Sequence, residues 1–294
     1  MREKPLERIL LPLDLSLASD VQVMIAGELA LKYKSEIVLA HVIDSLVIDH
    51  AAAGFDPESL IASLEKRARN KLNEYKEELE RKGVIVDVYD EFPVEDPAVA
   101  IVSIASRVGA TEILLLNKGW RVKRRILLGG TVKEVIKRST KPVILFHVTY
   151  DKEQGRVRVV SEVDLTERIL LAVDENVSED MVGYVKDLAR YYETRELYLL
   201  HVMEEGESRD TVEKMLSRIQ REFEGLVEEI HRVILASHKV AKVIASFAEN
   251  TKSTIVLGRT VRKGFIEWVL GSTLDHVLVR ATRPLVIYPV KRIE

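Results

Sequence analysis

The chain has 294 residues, with 44 Lys and Arg against 47 Asp and Glu, a net charge of -3 and no Cys. That balance lacks the basic footprint of a nucleic-acid binder, and the missing cysteines exclude disulfides, thiol catalysis and cysteine-ligated metals. No apolar run reaches the roughly 18 residues of a membrane span, and the opening MREKPLER mixes both charge signs without an apolar signal segment, so a cytoplasmic protein without a membrane anchor is expected.

The length suffices for about two domains, each with its own core. A charged fraction of 31% with only five Met exceeds the roughly 25% of ordinary domains and leans towards a thermophile composition.

In chain order, Ile9–Leu13 is a short apolar run that reads as a buried strand. Val21, Ile25 and Leu29 recur every four residues and predict a helix over 19–33. Residues 36–42 read as strand two and 44–56 as a loop. A long amphipathic helix follows, with Leu60, Leu64, Ala68, Leu72, Tyr75 and Leu79 on one face and Gly83 as its stop. Residues 84–88 are strand three, 98–107 a helix, 112–116 strand four and 142–148 strand five.

The chain then repeats itself. Residues 7–14, ERILLPLD, match 167–174, ERILLAVD, at six of eight positions, and His41-Val42 matches His201-Val202 at the same offset of 160. The offset falls to 142 where Pro97–Ile101 lies opposite Lys239–Val243, which places an 18-residue deletion in copy two between His201 and Lys239. The strands of copy two fall at 168–173, 197–202, 230–235, 254–257 and 285–290, and its long helix carries Val212, Leu216, Ile219, Phe223 and Leu226. A period this long marks a duplicated domain and not a solenoid unit. Apolar strands alternating with helices imply βαβ units and parallel sheets covered on both faces. The expected division is 1–149, a linker at 150–166 in which Val157 and Val159 alternate with charges as a short edge strand would, and 167–294.

The most informative repeated stretch runs from Ile126 to Val148 and again from Glu267 to Val290. It aligns Leu128-Gly129-Gly130-Thr131 with Leu270-Gly271-Ser272-Thr273, and each copy reads as a glycine turn, one helix, a proline and an apolar strand. Val132, Val135 and Ile136 mark the first helix, and Leu274, Val277 and Leu278 the second. A turn of this kind gathers free N–H groups at the positive end of a helix dipole, which suits phosphate. In an open parallel sheet the ligand sits beyond the carboxyl ends of the strands, where the strand order reverses. Asp14 and Asp174, the strand-two ends Val42 and Val202, and the loop ahead of the glycine turn should meet there.

These residues resemble the universal stress protein family in tandem form, over nearly the whole chain. The resemblance rests on ILLPLD and ILLAVD, on LAHVID and LLHVME, and on the closing glycine-helix-proline-strand unit. It implies two doubly wound five-stranded parallel sheets, Rossmann-like α/β/α layers, paired through their last strands as an intramolecular pseudo-dimer that can associate further into a homo-oligomer. It also implies an adenine nucleotide as ligand, AMP, ADP or ATP, with Mg2+ as a companion of ATP. Nucleotide-binding members carry Gly-x2-Gly-x9-Gly-[Ser/Thr]. Copy two has Gly258, then Val261 at the second position, then nine residues to Gly271-Ser272; copy one has Leu116, then Gly119, then nine residues to Gly129. Carried onto this chain, the nucleotide contacts are Pro12, Leu13, Asp14, Val42, Asn117, Gly119, Gly129, Gly130 and Thr131 in copy one. In copy two they are Ala172, Val173, Asp174, Val202, Gly258, Arg259, Gly271, Ser272 and Thr273.

Plainer roles exist for several of these. The glycines could serve only to turn the chain, Asp14 and Asp174 could cap the following helix, and His41 and His201 read as satisfied core residues. Trp120 and Trp268 read as packing residues, while Lys118, Arg121, Lys123, Arg124 and Arg125 form either a solvated face or a phosphate border. No Ser-His-Asp arrangement or Walker sequence supports catalysis. The expectation is therefore a non-enzymatic nucleotide-binding regulatory protein of the stress response. A nucleotide-free interaction module and a slow ATP hydrolase are the alternatives.

Overall fold

The computed structural model describes residues 4–51, 56–117, 121–122, 125–126, 129–151, 156–174, 177–259 and 272–289. They form two compact units. The first comprises Met1–Asn117, Gly129–Lys141 and Tyr150–Arg158; the second comprises Lys118–Leu128, Pro142–Thr149 and Val159–Glu294.

The first half opens with β1 (Arg8–Pro12), α1 (Leu17–Tyr33) and β2 (Glu36–Ala40). Ser16 caps α1 by accepting from Ala18 N, and Lys34 closes it in the left-handed region at φ 56°. After β2 come β3 (Ile43–Asp44) and α2 (Ser45–Ala51), where a loop was expected. Two interactions cause this: Ile43 N donates to Pro93 O at 3.0 Å, and Asp44 Oδ1 accepts from Leu46 N at 3.0 Å, starting the helix. The long helix α3 (Pro57–Arg81) has Asp56 as its N-cap and Pro57 in its first turn. Its buried face is Ala68, Leu72, Tyr75 and Leu79, with Gly83 beyond its end at φ 89°. β4 (Ile85–Val88), β5 (Val94–Glu95), α4 (Pro97–Arg107), β6 (Glu112–Asn117), β7 (Arg121–Val122), β8 (Arg125–Ile126), α5 (Gly130–Arg138) and β9 (Val143–Asp151) complete this half. β3 pairs in parallel with β5, and β7 pairs antiparallel with β8.

Within the first unit the strand order is β4-β2-β1-β6, all parallel. Ile9, Leu10 and Leu11 are fully buried in the central strand. α1 packs with α3, and α4 with α5. The first pair packs closely at Gly27, where a Cβ would lie 2.8 Å from Leu79 Cδ2, and Tyr75 donates its hydroxyl to Asp20 Oδ1 at 2.6 Å.

β10 (Arg156–Val159) follows, with the alternating exposure its sequence predicted. The second half then runs β11 (Arg168–Ala172), α6 (Glu179–Tyr191), β12 (Glu196–Met203), α7 (Arg209–Arg221), β13 (Glu229–Ala236), α8 (Val240–Thr251), β14 (Thr254–Arg259), α9 (Ser272–Leu278) and β15 (Leu285–Pro289). The helix α7 stops short of Phe223 and Leu226, which occupy the turn after it; Phe223 is nevertheless fully buried. The second unit's strand order is β13-β12-β11-β14-β15, all parallel.

β9 pairs antiparallel with β15, Leu145 opposite Leu285 and Val143 opposite Ile287, so the outer edge of β15 is covered and not left as a template for aggregation. This pairing is why Pro142–Thr149 belongs to the second unit. The compact units therefore interleave in sequence.

His147 on β9 is fully buried, and burial pushes its imidazole down from 6.5 to about 4. The unfolded chain thus takes up the proton first as pH falls. Stability from this residue is complete above pH 6.5 and is lost between there and about pH 4, by about 3 kcal/mol in all. Urea unfolding across that window should show a steeper acid decline for the native sequence than for His147→Leu; parallel curves would contradict this.

A duplicated crevice at the carboxyl ends of the central strands

Each unit places its first strand where the chain reverses direction across the sheet. From β1 the chain steps to β2 and β4 on one side, then crosses to β6; from β11 it steps to β12 and β13, then crosses to β14. The neighbours β1 and β6 are paired only at Ile9↔Glu112 and Leu10↔Ile113, and their carboxyl ends open beyond. Such a reversal leaves a crevice that no crossing helix fills.

One histidine holds each crevice in shape. His41 Nδ1 donates to Leu13 O at 2.8 Å, and His201 Nδ1 donates to Val173 O at 2.9 Å. A carbonyl only accepts, so Nδ1 carries the hydrogen in both rings. The main-chain bonds beside them are duplicated too: Leu13 N reaches Ala40 O at 2.8 Å, and Val173 N reaches Leu200 O at 3.0 Å. The end of the first strand is thereby tied to the second strand just before Asp14 or Asp174, and both carboxylates stand exposed beyond it. Burial lowers the His41 pKa, opposed by the bond to Leu13 and the charge of Asp14. Both histidines are structural, as their positions suggested. His201 Nε2 also meets Glu207 Oε2 at 3.2 Å, and that carboxylate accepts from Glu204 N at 2.7 Å. The bond from Glu204, and then the imidazole, hold the Glu207 pKa below its usual value. No cluster of three metal-ligating side chains exists among the described residues.

Asp14 has a capping role as well. Its Oδ1 accepts from Ser16 N and from Ser19 Oγ, each at 3.1 Å. Leu15, between them, sits in the left-handed region at φ 58°. Beneath this loop Gln22, on the inward face of α1, donates through Nε2 to Pro12 O at 3.1 Å and to Leu114 O at 2.9 Å. That amide bridges the two diverging strands and forms the crevice floor. It was not singled out from sequence, although a buried polar residue among Ala18, Ile25, Ala26 and Leu29 is the visible signal. Copy two has Val182 at this position and lacks the bridge.

The other expected contacts are distributed as follows. Val42 lies half-buried just past β2, whereas Val202 lies within β12, opposite Leu235. Asn117 ends β6 and Arg259 ends β14, each buried, so equivalent positions carry a neutral amide in one unit and a guanidinium in the other. Burial pushes the Arg259 pKa down to about 10. Leu116 is buried within β6, and Gly258 is paired with Tyr288 inside the second sheet. Gly119, Gly271, Val261, Trp120, Trp268, Lys118, Lys123 and Arg124 lie outside the described residues, as do the side chains of Arg121, Arg125 and Ser272. Thr273 is half-buried in α9.

Gly129 and Gly130 begin α5. Gly129 is its N-cap at φ -63° and ψ 145°, a conformation open to any residue, and its carbonyl accepts from Lys133 N at 3.0 Å. A Cβ on Gly129 would meet only Val132 Cγ2 at 3.9 Å, and one on Gly130 would meet nothing within 4 Å. Neither the turn nor the packing of the described residues demands glycine here. Both residues, and Thr131 after them, are exposed at the amino end of the helix.

A sequence profile described as "Universal stress protein family" matches the chain twice, over residues 5–147 and 166–289. The chain belongs to this family. Among its relatives, Universal stress protein MJ0577 of Methanocaldococcus jannaschii is 31% identical over 153 residues, 47% of this chain and 93% of that one. A universal stress protein from Archaeoglobus fulgidus DSM 4304 has a solved structure that superposes with a TM-score of 0.76 at 25% identity, over 96% of this chain and 98% of that one. A putative universal stress protein from Pseudomonas aeruginosa UCBPP-PA14 shares the fold at a TM-score of 0.64 and 15% identity, over 97% and 94%. The family profile thus occurs twice in the chain, and the fold match covers 96% and 97% of it in these two solved structures. No helix among the described residues is long and apolar enough to cross a membrane.

The Gln22 bridge makes a stability prediction for this universal stress protein. Gln22→Met keeps the side-chain volume but leaves Pro12 O and Leu114 O without their donor, at a cost of about 1–3 kcal/mol. Equilibrium unfolding in urea measures it, and an unchanged midpoint would show that the bridge contributes nothing.

Proposed function

We propose that this universal stress protein binds an adenine nucleotide, AMP, ADP or ATP, at the carboxyl-end crevice and acts as a regulatory protein of the stress response. The observation that carries this reading is the glycine pair at the start of α5. Two glycines stand where their backbone does not need them and where a Cβ would project into open space. Among the described residues nothing fills the space beside them, and a ligand that approaches the main chain closely would account for both. Phosphate at the amino end of a helix is such a ligand, because N–H groups and the helix dipole converge on it. Asp14, exposed and held in place by the His41 tie, would accept from ribose or the adenine amino group. Thr131 would contact a phosphate or help hold Mg2+. The second crevice offers Asp174 and the buried guanidinium of Arg259, a cation at the end of β14 that would favour the same anion. Binding, not turnover, is the activity proposed.

A substitution at Gly130 separates ligand contact from folding. Gly130→Leu meets open space at an ordinary helical position and should leave thermal stability unchanged or slightly raised. It should weaken AMP and ATP binding to the first crevice by roughly tenfold or more, about 1.4 kcal/mol per decade. Isothermal titration of the full chain tests this. Nucleotide binding that survives Gly130→Leu intact, or that is absent from the native sequence, would overturn the reading.

A further inference from the structure

A second cationic surface lies in the first unit, away from the glycine turn. Leu15 and one stripe of α3, Ser63, Lys66, Arg67, Asn70, Lys71 and Glu74, line a depression of about 450 Å³. The spacing places all six helix residues on one face. The remaining cations along α3 have partners. Lys71 pairs with Glu74 at 2.9 Å, Lys76 with Glu80 at 3.7 Å and Lys82 with Glu78 at 2.6 Å. Arg69 lies over the Phe92 ring and donates to Asp90 O, while Arg81 Nε donates to Glu77 O. Lys66 and Arg67 differ: among the described residues no carboxylate is in ion-pair contact with either, although Glu65 is adjacent in sequence. Two neighbouring exposed cations with no counter-ion among the described residues create a local positive potential in a chain of net charge -3, which attracts anions.

The duplication supports this. The buried faces of the two long helices, Ala68, Leu72, Tyr75 and Leu79 against Val212, Leu216, Ile219 and Phe223, align at an offset of 144. At that offset Lys66, Arg67 and Lys71 become Asp210, Thr211 and Met215. The fold therefore does not require the basic stripe. α3 is also 25 residues long where α7 is 13, and across the stretch that the two helices share only copy one carries the basic stripe. Facing it is Leu15, a non-glycine residue at φ 58°, a conformation that residues outside functional or tightly determined turns rarely keep.

We propose that this groove binds a linear phosphate polyanion, with Lys66 and Arg67 pairing its charges, Ser63 and Asn70 hydrogen-bonding its oxygens and Leu15 forming its apolar wall. Arg offers two parallel donors and Lys a point charge, the pair that polyphosphate chains recruit. Two sources carry this chemistry: a free polyphosphate, or the phosphate tail of a second nucleotide bound apart from the crevice.

The test is titration of inorganic triphosphate into the full chain, into Lys66→Gln/Arg67→Gln and into Gly130→Leu. The expected result is binding to the native sequence and to Gly130→Leu, weakened roughly tenfold or more in the double variant, whose AMP binding and melting temperature stay unchanged. Competition separates the sources. A free polyphosphate site accepts triphosphate in the presence of saturating AMP or ATP, whereas a nucleotide-tail site is blocked by ATP and not by AMP. Triphosphate binding that is equal in the double variant, lost only in Gly130→Leu, or absent from the native sequence would overturn the proposal. The comparison of triphosphate binding between the native sequence and the double variant does not depend on whether AMP binds the crevice.

Discussion

The bond from an imidazole at the end of the second strand to the carbonyl just ahead of the acidic residue is the interaction on which the crevice depends. His41 makes it to Leu13 and His201 to Val173. In a parallel sheet the first strand's carboxyl end has neighbours that leave in opposite directions, and little else restrains it. Tying that end to the second strand sets the point at which the main chain departs, and so the position of Asp14 or Asp174. The bond needs a ring that donates at Nδ1, and burial of His41 favours the neutral imidazole. An imidazole thereby fixes where the main chain turns at the carboxyl edge of each sheet.

Much of this architecture was legible because apolar strand runs and helical periodicity are local signals, and because each occurs twice. What escaped was set by partners distant in sequence. The helix Ser45–Ala51 depends on Ile43 reaching Pro93 and on Asp44 capping the turn, and no periodicity announces either. Assignment of Pro142–Thr149 to the second unit follows from pairing with a strand about 140 residues later. At the site, the acidic residues and glycines were recognisable from repetition alone. Gln22 was not, because a single amide on an apolar helix face carries meaning only once the two carbonyls it bridges are seen together. The glycines themselves were ambiguous in sequence. Their ordinary φ and the open space beside them among the described residues show that the turn itself does not require glycine.

The two copies are not equivalent sites. Copy one bridges its strands with Gln22, ends β6 in a neutral amide and extends α3 into a basic groove. Copy two replaces the bridge with Val182, ends β14 in a buried guanidinium and continues β12 through Val202 to Met203, paired with β13. The main-chain ties, by contrast, are shared by both copies.

The central claim is that the glycine turn and the exposed acid together hold a nucleotide. Native mass spectrometry of the full chain, purified without added ligand and then titrated with AMP and ATP, reads it directly. The account predicts a complex heavier than the chain by one adenine nucleotide, released on denaturation and identified by its own mass. A bare chain that stays bare through the titration would contradict it.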